Sequence, residues 1–137
     1  MNEQYNITFI RQVYADFKSG NISTLLSKMD ANISWEIPEI TNVPFAGKRQ
    51  GRETVADFFT QLAAAQEVLR FEPNDFIAQG NRVVALGNYK WRVRETGRTY
   101  QSNFAHVFTI QNASVVAFLE YNDTAAVERG YEKAKSA

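Results

Sequence analysis

The sequence predicts an α+β fold, on three observations. Apolar residues recur at helical spacing near the amino end, where Ile10, Val13, Tyr14 and Phe17 form one stripe. The second half alternates apolar and polar residues in long segments divided by turn signals at Gln79-Gly80-Asn81, Thr96-Gly97 and Asn112-Ala113. No repeat, linker or low-complexity stretch interrupts the chain, so residues 1–137 read as a single domain with helices first and strands after.

The first helix ends at Ser19-Gly20-Asn21, where glycine can adopt the left-handed stop conformation. A short second helix follows, with Ile22, Leu25, Leu26 and Met29 on its inner side. Asn32 to Ile37 alternates as a strand, with Ile33, Trp35 and Ile37 on one face, until Pro38 removes a donor. A loop containing Pro44 and Gly47 leads to a third helix, about Arg52 to Gln66, carrying Val55, Phe58, Phe59 and Leu62.

If Thr96-Gly97 and Asn112-Ala113 are two-residue hairpin turns, the register of the last three strands follows. Glu95 then faces Arg98 and Gln111 faces Ser114, which sets Gly87 opposite His106 and His106 opposite Leu119. Tyr89, Trp91, Phe104, His106, Phe108 and Tyr121 share the apolar face that the helices cover, and Glu120 alternates to the other side. A glycine across from His106 leaves a gap ringed by aromatic side chains, which reads as a ligand pocket. On that reading alanine at position 106 leaves the fold largely intact. The outer face keeps Leu86, Val107, Val116 and Phe118 with no helix left to cover them, which predicts a homodimer through that face.

Composition narrows the function. Of 137 residues 45% are hydrophobic and 22% charged, and fifteen basic residues balance fifteen acidic ones. With no net field, neither a nucleic acid nor a membrane is an expected partner; the expected partner is a small molecule. The absence of cysteine excludes disulfides, thiolate metal sites and a thiol nucleophile, and with no basic-then-apolar leader the chain reads as cytoplasmic. One histidine and scattered carboxylates give no metal-ligand spacing, and no glycine-rich loop seats a nucleotide, so no cofactor is expected.

Several segments resemble the SnoaL-like polyketide cyclases and ketosteroid-isomerase-like proteins of the nuclear transport factor 2-like superfamily. They are Tyr14 to Phe17 with Ser19-Gly20-Asn21, Ile33 to Pro38, Phe45 to Arg52 with Val55 and Phe58-Phe59, and Gly97 to Thr124. The resemblance implies a cone, in which a curved antiparallel sheet wraps three amino-terminal helices around a deep apolar pocket, usually as a dimer. It spans isomerases, cyclases, hydrolases and proteins without chemistry, so fold does not choose among them. The isomerase set is missing, because Ile37 stands where that branch has an aspartate before the strand-ending proline and Val13 where it has a tyrosine. The cyclase branch implies a late-strand carboxylate near a sheet histidine. Here the matches are Asp123 and His106, with Glu120 a rival at slightly shorter spacing.

The candidate catalytic residues are therefore His106, the only imidazole, and Asp123. Asp123 lies four residues beyond Leu119, roughly 13 Å along a regular strand, and Asn122-Asp123-Thr124 also reads as a cap that begins a helix. The candidate ligand-binding residues are Tyr14, Trp35, Phe59, Tyr89, Trp91, Phe104 and Tyr121. Two functions fit this set: cofactor-free acid/base chemistry on an apolar, oxygen-bearing ligand, of isomerase, cyclase or hydrolase type, or a non-catalytic binding or scaffold module.

Overall fold

In the computed structural model, residues 2–133 are described. Three helices come first, α1 (Glu3–Lys18), α2 (Ile22–Ser27) and, after strands β1 (Met29–Ile37) and β2 (Gly47–Gln50), α3 (Arg52–Ala65). Four long strands follow: β3 (Gln66–Gln79), β4 (Arg82–Val93), β5 (Thr99–Gln111) and β6 (Ser114–Asn122). A closing helix, α4 (Thr124–Tyr131), completes the fold. The fold is the α+β cone that the sequence predicts, with one curved six-stranded sheet in the order β2-β1-β6-β5-β4-β3. All neighbours are antiparallel except β1 and β6, which run parallel.

Local chemistry explains the element ends. Asn2 caps α1 by accepting from the Tyr5 amide at 2.7 Å, and Gly20 ends it at φ +76°. The Asn112-Ala113 turn is the two-residue hairpin expected, with both residues at positive φ and Gln111 paired to Ser114. Ile10, Leu25, Ile33, Val55 and Phe108 are buried between the helices and the concave side of the sheet.

Two registers differ from the sequence expectation, with different consequences. The β4–β5 connection is a four-residue loop, Arg94 to Gly97, closed by the Val93 amide on the Arg98 carbonyl at 2.8 Å. The resulting shift of two keeps every side chain on its face, but it sets Ala85 opposite His106 and Phe104 opposite Gly87. No gap is left at Gly87: a Cβ there would overlap the Glu72 carbonyl and the Phe104 ring.

The β5–β6 ladder contains a bulge. Ile110 pairs with Val115 and Thr109 with Ala117, so Val116 is an extra residue on β6. A shift of one reverses every side chain beyond it. Glu120, not Leu119, therefore stands opposite His106. Phe118, expected on the outer face, is 5% exposed and stacks on Trp35 with ring centroids 4.0 Å apart. Tyr121, expected in the pocket, is 58% exposed on the convex side.

Candidate functional site

The inner face of the sheet and the helices line an apolar cavity of about 90 Å³. Val13, Tyr14 and Phe17 reach it from α1, Phe58, Phe59 and Leu62 from α3, and Trp35, Tyr89, Trp91 and Phe118 from the sheet. Among the described residues, Ile40, Val43 and Phe45 supply the part of its wall that lies outside helix and strand, the connection at 38–46.

Into this apolar wall the chain sets two groups of polar side chains: Tyr100 Oη donates to Gln66 Oε1 at 2.8 Å, and a larger group centres on His106. Tyr14 Oη lies 2.7 Å from His106 Nδ1, and His106 Nε2 lies 2.9 Å from Glu120 Oε1. The other carboxylate oxygen, Oε2, accepts from Tyr89 Oη at 2.7 Å and from Asn122 Nδ2 at 2.8 Å. His106 is 4% exposed, held under Phe104 at a centroid distance of 4.2 Å and against the edge of Phe118 at 4.9 Å. The position of each group follows from the strands. His106 is central on β5, Tyr89 comes from β4, and the bulge at Val116 turns both Glu120 and Asn122 inward on β6.

The hydrogen bonds assign the protons. Burial by itself raises the pKa of the Glu120 carboxyl, but the His106 bond and charge, with the donors from Tyr89 and Asn122, outweigh it and hold the group below its ordinary value. An ionised carboxylate only accepts, so His106 Nε2 carries the hydrogen. In the neutral ring Nδ1 is then an acceptor, and the Tyr14 hydroxyl donates to it. Burial and, next, the Glu120 charge push Tyr14 far above the usual tyrosine pKa, so it stays a phenol and a donor. The chain of donation runs from Tyr14 through His106 to Glu120. This wiring resembles a nucleophile–histidine–carboxylate triad, except that a phenol replaces the nucleophile.

Both ring nitrogens of His106 and both oxygens of Glu120 are thus engaged by protein partners. The lowered Glu120 value has a consequence for stability. The unfolded chain binds a proton at about pH 4.3, before the folded chain does, so the group stabilises the fold above that pH. The contribution is lost as pH falls through the folded value. Urea unfolding of the wild type should weaken with acid over that window, and Glu120→Gln should flatten the dependence.

Of the candidates from sequence, Tyr14, Trp35, Phe59, Tyr89, Trp91 and His106 all line the cavity. Phe104 does not line it and instead packs His106 from the side while filling the space over Gly87. Asp123 is not in the cluster. Its carboxylate caps α4 by accepting from the Ala126 amide at 3.1 Å, and its own amide donates to Ser102 Oγ. The late-strand carboxylate beside His106 is Glu120, fourteen residues after it. Asn122 was not among the candidates, and an unmarked bulge offered no signal for it.

The family model for a SnoaL-like domain matches residues 10–118. A solved NTF2-like protein from Burkholderia xenovorans LB400 is similar at 30% identity with a TM-score of 0.87, over 96% of this chain and 99% of that one. An NTF2-like protein of unknown function from Burkholderia pseudomallei K96243 is similar at 26% identity and a TM-score of 0.83, over 90% and 95%. TerC, co-crystallised with polyporic acid, is similar at 25% identity and a TM-score of 0.80, over 92% and 97%. A search of curated protein sequences finds no match. With the family model covering most of the chain and the cone and its internal cavity in place, this protein belongs to the SnoaL-like domain family of the NTF2-like fold.

Proposed function

We propose that this protein binds a small apolar, oxygen-bearing molecule and moves a proton on it without a cofactor. The observation that carries the reading is the Tyr14–His106–Glu120 chain in the wall of a largely apolar cavity. A ligand proton passed to Tyr14 Oη lets the phenol hand its own proton to His106 Nδ1, and the Glu120 carboxylate stabilises the imidazolium that results. Run backwards, the same chain delivers a proton. Because Tyr14 is held as a phenol, it relays a proton and does not persist as tyrosinate. The similarity to TerC, which was co-crystallised with polyporic acid, supports an oxygen-bearing ligand for this cavity.

The test is deuterium exchange at the α-carbon of cyclohexanone in D₂O, followed by NMR. The expected result is exchange above the buffer rate that saturates with ketone concentration. Saturable binding without exchange favours the second reading, a non-catalytic binding module. The cavity of about 90 Å³ is smaller than the roughly 150 Å³ that holds a benzene. A ring-sized ligand therefore requires the wall to give, and the 38–46 connection is the segment that belongs to no regular element.

Self-association through the convex face belongs to the same proposal. The register puts Ile77, Val84, Val107 and Leu119 in one row across four strands and Leu86, Ala105 and Tyr121 in the next. Ile77, Leu86 and Tyr121 are exposed, and Phe118 takes no part. Stable interfaces remove about 800 Å² per partner. The protein should sediment as a dimer at micromolar concentration, and Val107→Lys with Leu119→Lys should give a monomer. A wild-type monomer would contradict this.

A further inference from the structure

Two residues of the cavity wall each carry a buried polar atom with no hydrogen-bond partner among the described residues: Trp35 Nε1 and Asn122 Oδ1. Trp35 is 4% exposed, stacked on Phe118 and set against the edge of Phe59, so its indole cannot turn to seek a partner without breaking that packing. The ends of the Asn122 amide are assigned by its neighbours. Its nitrogen donates to the Glu120 carboxylate and to Tyr89 Oη, which leaves the oxygen as the free acceptor. Buried donors and acceptors are nearly always paired, and one left unpaired is costly, so a ligand group that pairs with it gains affinity.

We propose that these two atoms select the ligand: an oxygen acceptor on the ligand receives the Trp35 N–H, and an O–H or N–H at its other end donates to Asn122 Oδ1. This rests on reading the cavity as a ligand site. Trp35 lies beside Phe118 in the parallel pair, and Asn122 is four residues further along β6, roughly 13 Å at strand rise. Glu120 falls midway between them. A molecule with polar groups at its two ends and an apolar middle is thus laid across the proton-relaying chain, with its reactive carbons between the two anchors. Trp35 and Asn122 act here as specificity-determining residues, a task distinct from moving the proton.

The probes are 4-(4-hydroxyphenyl)butan-2-one, 4-phenylbutan-2-one and butylbenzene, a series long enough to reach both anchors, titrated into ¹⁵N-labelled protein while the Trp35 indole N–H resonance is followed. Each polar group should tighten binding about tenfold, the effect of one net hydrogen bond, and the carbonyl should move the Trp35 resonance. Trp35→Phe should erase the advantage of 4-phenylbutan-2-one over butylbenzene. Asn122→Leu should erase that of the hydroxyl. Thermal melts check that both variants fold, and the wild-type series stands if Asn122→Leu does not. Equal affinity for the three probes overturns the polar assignment while leaving the cavity a ligand site. Failure of all three to bind at millimolar concentration, with the indole resonance unmoved, overturns the cavity reading as well.

Discussion

Replacing His106 with alanine should destabilise the protein by about 3 kcal/mol in urea unfolding, because the substitution strands two buried groups at once. Glu120 loses the partner on Oε1 and Tyr14 loses its acceptor, in a site where the His106 and Glu120 side chains are 6% and 14% exposed. The space left under Phe104 adds a cavity penalty. The sequence pointed the other way, to a fold left largely intact, because it placed a glycine across from the imidazole. With Ala85 and Glu120 there instead, the histidine is a structural group as well as a chemical one. Removing both partners costs less than the separate losses suggest, since no charge is then stranded. The double variant His106→Ala with Glu120→Leu should accordingly be more stable than the sum of the two single variants implies. A loss under about 1 kcal/mol in His106→Ala would mean that water already solvates this cluster.

Tyr14→Phe should separate chemistry from folding. The ring keeps its contacts with Phe71, Phe76 and Phe108, and only the hydroxyl is lost, so stability should change by about 1 kcal/mol. Ketone exchange should fall by a factor of 10² to 10⁴, the usual contribution of a positioned acid/base group, while probe affinity changes little. Full exchange activity in this variant would remove Tyr14 from the proton path and leave His106 to act on the ligand directly.

The helices and the concave face were legible because apolar periodicity encodes them. Ile10, Val13, Tyr14 and Phe17 stripe α1 at helical spacing, and the alternation through β4 and β5 survives the four-residue loop because a shift of two preserves the face. For that reason Tyr14, Trp35, Tyr89, Trp91 and His106 could be placed in the pocket from sequence. What followed the Val116 bulge could not. No glycine or proline marks it, and the segment reads equally well as a regular strand. One extra residue exchanged Glu120 for Tyr121 in the cavity, brought in Asn122 and moved Phe118 from the surface to the core. The resemblance to the cyclases carried the missing information, since it kept Glu120 beside Asp123 as the late carboxylate when alternation argued against it. Asp123 followed its local chemistry and became a cap.

Proton relay depends on which way the hydrogen bonds run through the single histidine, and that can be measured without knowing the ligand. With one imidazole in 137 residues, a long-range ¹H–¹⁵N correlation spectrum contains one pair of ring nitrogens and needs no assignment. With the ring neutral, Nε2 should show the shift of a protonated, pyrrole-type nitrogen and Nδ1 that of an acceptor, with both signals moving in Glu120→Gln. A hydrogen on Nδ1 and a bare Nε2 would contradict the account, because the imidazole would then face an ionised carboxylate with a lone pair and could not take a proton from Tyr14.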